Sequence, residues 1–118
     1  MSENDSSDDP LAPHAELLAK LREKHDEIAI YPAPKKFGGI IVIAAPSNHK
    51  SYQDYINNLH NERADKAVEA TKFLLACTVH PERDTAKKIY EHKPGLVTPL
   101  SNRAAELAGA GVTELGKD

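Results

Sequence analysis

ADKAVEATKFLLACTV, residues 64–79, is the stretch on which the fold turns. Its apolar residues recur at helical spacing and spread over more than one face, the pattern of a helix at the centre of a core. Ala64, Ala67, Val68, Thr71, Leu74, Leu75 and Thr78 form one stripe, and Phe73, Ala76 and Cys77 widen it. Pro81 stops this helix, because the residue before a proline avoids helical angles. Both flanks carry elements suited to pack on it.

Immediately upstream, residues 49–61 read as a helix that puts Tyr52, Tyr55, Ile56 and Leu59 on one side. Ser47 or Asn48 is placed to cap it by accepting a bond from a free backbone N–H. Before that helix, IAIYPAPKKFGGIIVIAAPS (residues 28–47) changes period. Its β-branched runs are bounded by Pro and Gly, which favours strands and predicts an antiparallel hairpin near 28–45. A lone hairpin is marginal in water, so this one must pack on helices or pair with another chain. HAELLAKLREKHDEI (residues 14–28) reads as a short amphipathic helix with Leu17, Leu18, Leu21 and Ile28 on its apolar side. Residues 1–13 are acidic and polar with little to bury, which predicts a disordered arm.

Downstream, Asp84 is placed to cap a short helix with Ala86, Ile89 and Tyr90 facing inward, stopped by Pro94-Gly95. A last helix begins near Thr98-Pro99, buries Leu100, Ala104, Leu107 and Ala108, and ends at Gly109 and Gly111. Residues 111–118 read as a frayed tail. The expected architecture is α+β and mostly α. A small N-terminal antiparallel β-hairpin packs on a compact bundle of about four to five short helices, in one domain over residues 14–110.

Composition narrows the function classes. Aromatics make up only 5% of the 118 residues and Trp is absent, so Ala, Leu, Ile and Val must fill the core. The net charge of −3, with no long basic run, argues against a nucleic-acid surface. No apolar run approaches the roughly 20 residues that span a bilayer. The N-terminus lacks the basic start and apolar middle of a signal peptide. A soluble intracellular protein is expected, and the single cysteine fits a reducing compartment.

The candidate chemistry is sparse. Cys77 and His80 stand three apart, half of a zinc site, but no second Cys/His pair accompanies them. As a nucleophile, Cys77 would lie inside an apolar helix toward its C-terminal half, where the helix dipole disfavours a thiolate. His80-Pro81-Glu82 matches the start of a zinc deaminase signature, yet no Pro-Cys-x-x-Cys follows. Lys35, Lys36, Gly38 and Gly39 lead into a strand, so they read as a turn and not as a phosphate cradle. Carboxylates fall beside lysines, as in Glu62 with Lys66, and Asp65 and Glu69 with Lys72, in ordinary helix-surface pairs. Arg103 is the only base-reading cation on the last helix, too little for a helix-turn-helix. No enzyme activity, cofactor or metal site is expected.

One resemblance gives a specific lead. TKFLLACTVHPERDTAKKIYEHKPGLVTPLSNRAAELAG (residues 71–109) resembles the C-terminal half of tail assembly chaperone-like proteins of long-tailed bacteriophages. The shared features are the "LLACTV" helix, the His80-Pro81 step, the Lys93-Pro94-Gly95-Leu96 turn and the closing helix ending Glu106 to Gly109. FGGIIVIAAPSNHKSYQDYINNL (residues 37–59) is similar to the family's strand-then-helix lead-in. The resemblance implies binding without catalysis, in the host cell cytoplasm: association with the tape-measure protein while tail tube subunits polymerise around it. It implies no catalytic residues, and often a longer frameshift product. The hairpin edge and Tyr52, Tyr55, Ile56 and Leu59 are then candidate docking elements for a long amphipathic helix or a second copy. The same four residues also fit the domain's own core. A structural virion component, such as a minor tail or head-tail connector protein, is the alternative.

Overall fold

Ile40–Ala44 carries five consecutive apolar residues with no polar alternation, and all five are buried. An antiparallel strand reads this way only when something covers each of its faces. The computed structural model, which describes residues 11–46 and 48–109, shows what covers them. In chain order the elements are α1 (Ala15–Lys24), β1 (Ile28–Pro32), β2 (Ile40–Ala44), α2 (His49–Leu59), α3 (Lys66–Cys77), β3 (Thr78–His80), α4 (Arg83–His92) and α5 (Val97–Leu107). The three strands form one antiparallel sheet in the order β1-β2-β3, with β2 at its centre.

Because side chains alternate along a strand, β2 serves two cores at once. Ile41 and Ile43 enter the main cluster with residues of α2, α3, α4 and α5. Ile40 and Val42 meet Leu18 and Leu21 of α1 in a smaller cluster on the opposite face. The fold is therefore α+β and mostly α, as expected, with five α-helices among the described residues. The sheet lies between α1 and the other four helices.

The hairpin forms where the sequence places it. Ile28 pairs with Ala44 and Pro32 with Ile40, and Ala33 N–H donates to the Gly39 carbonyl at 2.9 Å. Gly38 and Gly39 take φ of +106° and +89°, a conformation that L side chains resist, so the tight reversal depends on them. By the two-residue period from the Ala33 bond, Pro32 turns its missing N–H away from β2, where an edge strand tolerates proline.

The central helix departs from expectation. The apolar pattern predicts a helix over residues 64–79, but α3 runs from Lys66 to Cys77. Asp65 begins it, its Oδ1 accepting from the N–H groups of Ala67 (3.0 Å) and Val68 (3.2 Å). Thr78 and Val79 leave the helix and, with His80, add a third strand to β2, with a register shift between Val42 and Ile43. The sheet is thus more than an N-terminal hairpin: β-branched residues prefer the extended backbone, and β2 has a second edge to satisfy. The buried residues of α3 also differ from the expected stripe. Phe73, Leu74, Leu75 and Cys77 are buried, with Ala70 partly so, while Ala67, Val68 and Ala76 are exposed.

Smaller corrections follow the same logic. Asn48 caps α2, accepting from Ser51 N–H at 3.1 Å, whereas Ser47 lies outside the described residues. Glu82 is the residue before α4 and makes no side-chain cap; Asp84 sits in the first turn, where its charge suits the helix dipole. A 3-10 turn at Pro94–Leu96 runs directly into α5, so that helix starts at Val97 and holds Pro99 in its first turn. Gly109, at φ +109°, closes α5 by donating to the Glu106 carbonyl. Helix α1 ends at Lys24, and Ile28 belongs to β1. Of the expected arm, residues 1–10 lie outside the described residues, as do 110–118 with Gly111. Ala12–His14 form a 3-10 turn, and Leu11 packs against the α1-side cluster.

Candidate functional site

Cys77 ends α3 with no exposed surface, inside the main core cluster. Burial pushes its thiol up to about 12, which leaves almost no thiolate at neutral pH. His80 lies half-buried on β3, where burial and then the charge of His14 lower its pKa. Among the described residues, no three His, Cys, Asp or Glu side chains come together in a way that would hold a metal ion.

The polar groups next to Cys77 are occupied. Thr78 Oγ1 donates to the Leu74 carbonyl at 2.7 Å and lies 2.8 Å from the Tyr90 hydroxyl. A hydroxyl carries one proton, so Tyr90 is the donor in the second bond. Burial raises the Tyr90 phenol to about 12, so it is a structural donor at neutral pH. Ser101 is also buried, and its hydroxyl donates to the Thr98 carbonyl at 3.1 Å.

The docking residues expected on α2 are brought together, and they face inward. Tyr55 is buried and stacks on Phe73 with ring centroids 4.4 Å apart and planes 4° from parallel. Tyr52 meets the same Phe73 edge-on at 5.9 Å. Ile56 and Leu59 are half-buried against the main core. The four thus fasten α2 to α3, and a partner on this side meets only the outer flanks of Tyr52, Ile56 and Leu59. A polar bond reinforces the seam: Asn58 Nδ2 donates to Glu69 Oε1 at 2.6 Å. Of the expected lysine pairs, Lys72 lies 3.4 Å from Glu69, while Lys66 donates to the Asn61 carbonyl at 2.8 Å.

A different surface combines exposure with apolar character. Val68 is 48% exposed and is the one large aliphatic side chain so exposed among the described residues. It sits in an open groove of about 450 Å³ between α3 and α4. Ala67, Val68, Thr71 and Leu75 form the floor along α3, and Lys72, Arg83, Asp84 and Lys87 form the rim. Glu69 turns its carboxylate to Asn58 and Lys72, so among the rim residues Asp84 is the only anion beside the two remaining cations, Arg83 and Lys87. Among the described residues neither Arg83 nor Lys87 makes an ion pair. Sequence reasoning missed this groove, although the signal was there: the apolar residues of 64–79 cover more than one helix face, and one core cannot bury them all.

The basic glycine turn also has a structural role. Lys35–Phe37 is a 3-10 turn with Lys36 Nζ 5.1 Å from the Phe37 ring centroid. Phe37 in turn meets His92 edge-on at 6.2 Å, tying the hairpin loop to the end of α4. Among the described residues no helix is long and apolar enough to cross a membrane. Comparison with family models, curated proteins and solved structures returned no match.

Proposed function

We propose that this protein is a non-enzymatic adaptor that works by binding another protein, acting as an assembly chaperone for bacteriophage tails. The observation that carries the binding part is the apolar groove between α3 and α4, with Val68 open to solvent inside a charged rim. A concave apolar strip inside a charged rim is a form in which a folded domain can receive the apolar face of a partner helix. The tail assignment rests on the resemblance of residues 71–109 and 37–59 to tail assembly chaperone-like proteins. In that reading the partners are the tape-measure and tail tube proteins, the site of action is the host cell cytoplasm, and the protein departs once the tube is built.

Co-expression with tape-measure and tail tube proteins tests this. The expected result is co-purification with one of them and absence from finished particles. Recovery in purified particles at a fixed stoichiometry would instead make the protein a virion component, and failure to capture either partner would overturn the tail assignment.

A further inference from the structure

We infer that the α3–α4 groove takes an acidic amphipathic helix of a partner protein, its aliphatic stripe on Val68 and its carboxylates on Arg83 and Lys87. The inference rests on the reading of the protein as a binding module and names the chemistry of what it binds. The first argument is shape. Ala67, Val68, Thr71 and Leu75 lie on one face of α3 over nine positions, a strip about 12 Å long at 1.5 Å rise for each of the eight steps. That length matches two turns of a docked helix presenting apolar side chains at i, i+3 or i+4, and i+7.

The second argument is charge. The chain carries a net −3, yet the rim of this groove holds Arg83 and Lys87 against the single carboxylate of Asp84, with Lys72 already paired to Glu69. Asp84 already sits in the first turn of α4, where the helix dipole favours it. Glu69 accepts from Asn58 Nδ2 at 2.6 Å and pairs with Lys72 at 3.4 Å, so it offsets Lys72 but makes no ion pair with Arg83 or Lys87. Arg83 and Lys87 are left with their charges turned to solvent around an apolar floor. A partner helix with Glu or Asp flanking Leu, Ile or Val satisfies both features at once. Complementary charge of this kind sets orientation and the rate of encounter more than final affinity.

The test uses the full chain, isotopically labelled for NMR, and a designed amphipathic peptide of about 18 residues with a Leu stripe flanked by Glu. A matched peptide with every Glu replaced by Lys is the control. The acidic peptide is expected to shift the amide signals of residues 67–75 and 83–87, and to bind at least about tenfold more tightly than the control. Raising the salt from about 50 mM to about 300 mM should weaken it several-fold. The double variant R83E/K87E, which alters only exposed side chains, should reverse the preference between the two peptides.

Equal binding of both peptides, binding of neither, or shifts confined to α1 or α2 would overturn the inference. So would tighter binding to duplex DNA or to phosphatidylserine vesicles than to the acidic peptide, or self-association that R83E/K87E abolishes. The tail assignment is tested separately. Peptide binding without capture of tail proteins removes that assignment and leaves the groove standing, whereas capture that survives R83E/K87E does the reverse.

Discussion

At the residue scale, Phe73 is the pin of the aromatic packing. It is 2% exposed, stacked under Tyr55 and touched edge-on by Tyr52, in a chain with only two Phe, four Tyr and no Trp. Phe73→Ala removes the α3 ring on which both tyrosines of α2 pack, and the cost expected is about 3–5 kcal/mol, read as a shift in urea midpoint. Cys77 makes a second residue-scale prediction. Its pKa rises on folding from 9.0 to about 12, so its stabilising contribution is complete below pH 9 and is lost as pH climbs toward 12. Tyr90, raised from 10.0 to about 12, acts in the same direction. Stability should fall through that alkaline window, and Cys77→Ser should blunt the fall. At pH 7.5 a thiol reagent should label native Cys77 only as fast as the protein opens.

At the element scale, the fate of residues 64–79 shows what the sequence made legible and what it hid. The apolar period marks a core helix, and the run Ile40 to Ala45, bounded by Gly38-Gly39 and Pro46, marks a strand, which forms over Ile40–Ala44. The end of the helix was hidden. Thr78 and Val79 continue the helical pattern; their β-branched side chains permit a strand, and the unpaired edge of β2, a tertiary fact, draws them into one. The rotation of the buried face was hidden too, because more apolar residues were available than one face needs. Ala67 and Val68 fit the stripe as well as Ala70 does, and nothing local to α3 decides between them. The start of the helix obeys local chemistry, since Asp65 caps it with two bonds. Asp65→Ala should therefore cost about 1 kcal/mol, a loss that Asp65→Asn or Asp65→Ser largely avoids in the same denaturation experiment.

The whole molecule is a sheet covered unequally on its two faces. One side carries four helices around Ile41 and Ile43. The other carries α1, with Leu18 and Leu21 as its buried residues over Ile40 and Val42. Local stability follows buried apolar contact, so the thinner layer should open first. In hydrogen exchange, amides of α1 are expected to exchange well before those of α3 and β2, and equal protection would contradict this asymmetry. Cross-layer ties on the α1 side include the Arg103 to Glu27 contact at 3.4 Å, an exposed pair worth roughly 0–1 kcal/mol. In the proposed reading the same division separates function from scaffold. Cys77 and Tyr90, next to the core, are sealed and protonated, while Val68, Arg83 and Lys87 are left to solvent at the α3–α4 groove.

That division is tested most directly by Val68→Glu, read in one sample for both melting temperature and binding of the acidic helical peptide. Val68 is half-exposed and outside both core clusters, so the variant should melt within about 2 °C of the parent, as surface substitutions do. Peptide affinity should fall by at least about tenfold as the carboxylate enters the groove. A variant that binds the peptide as well as the parent, or one that loses its fold, would contradict the account.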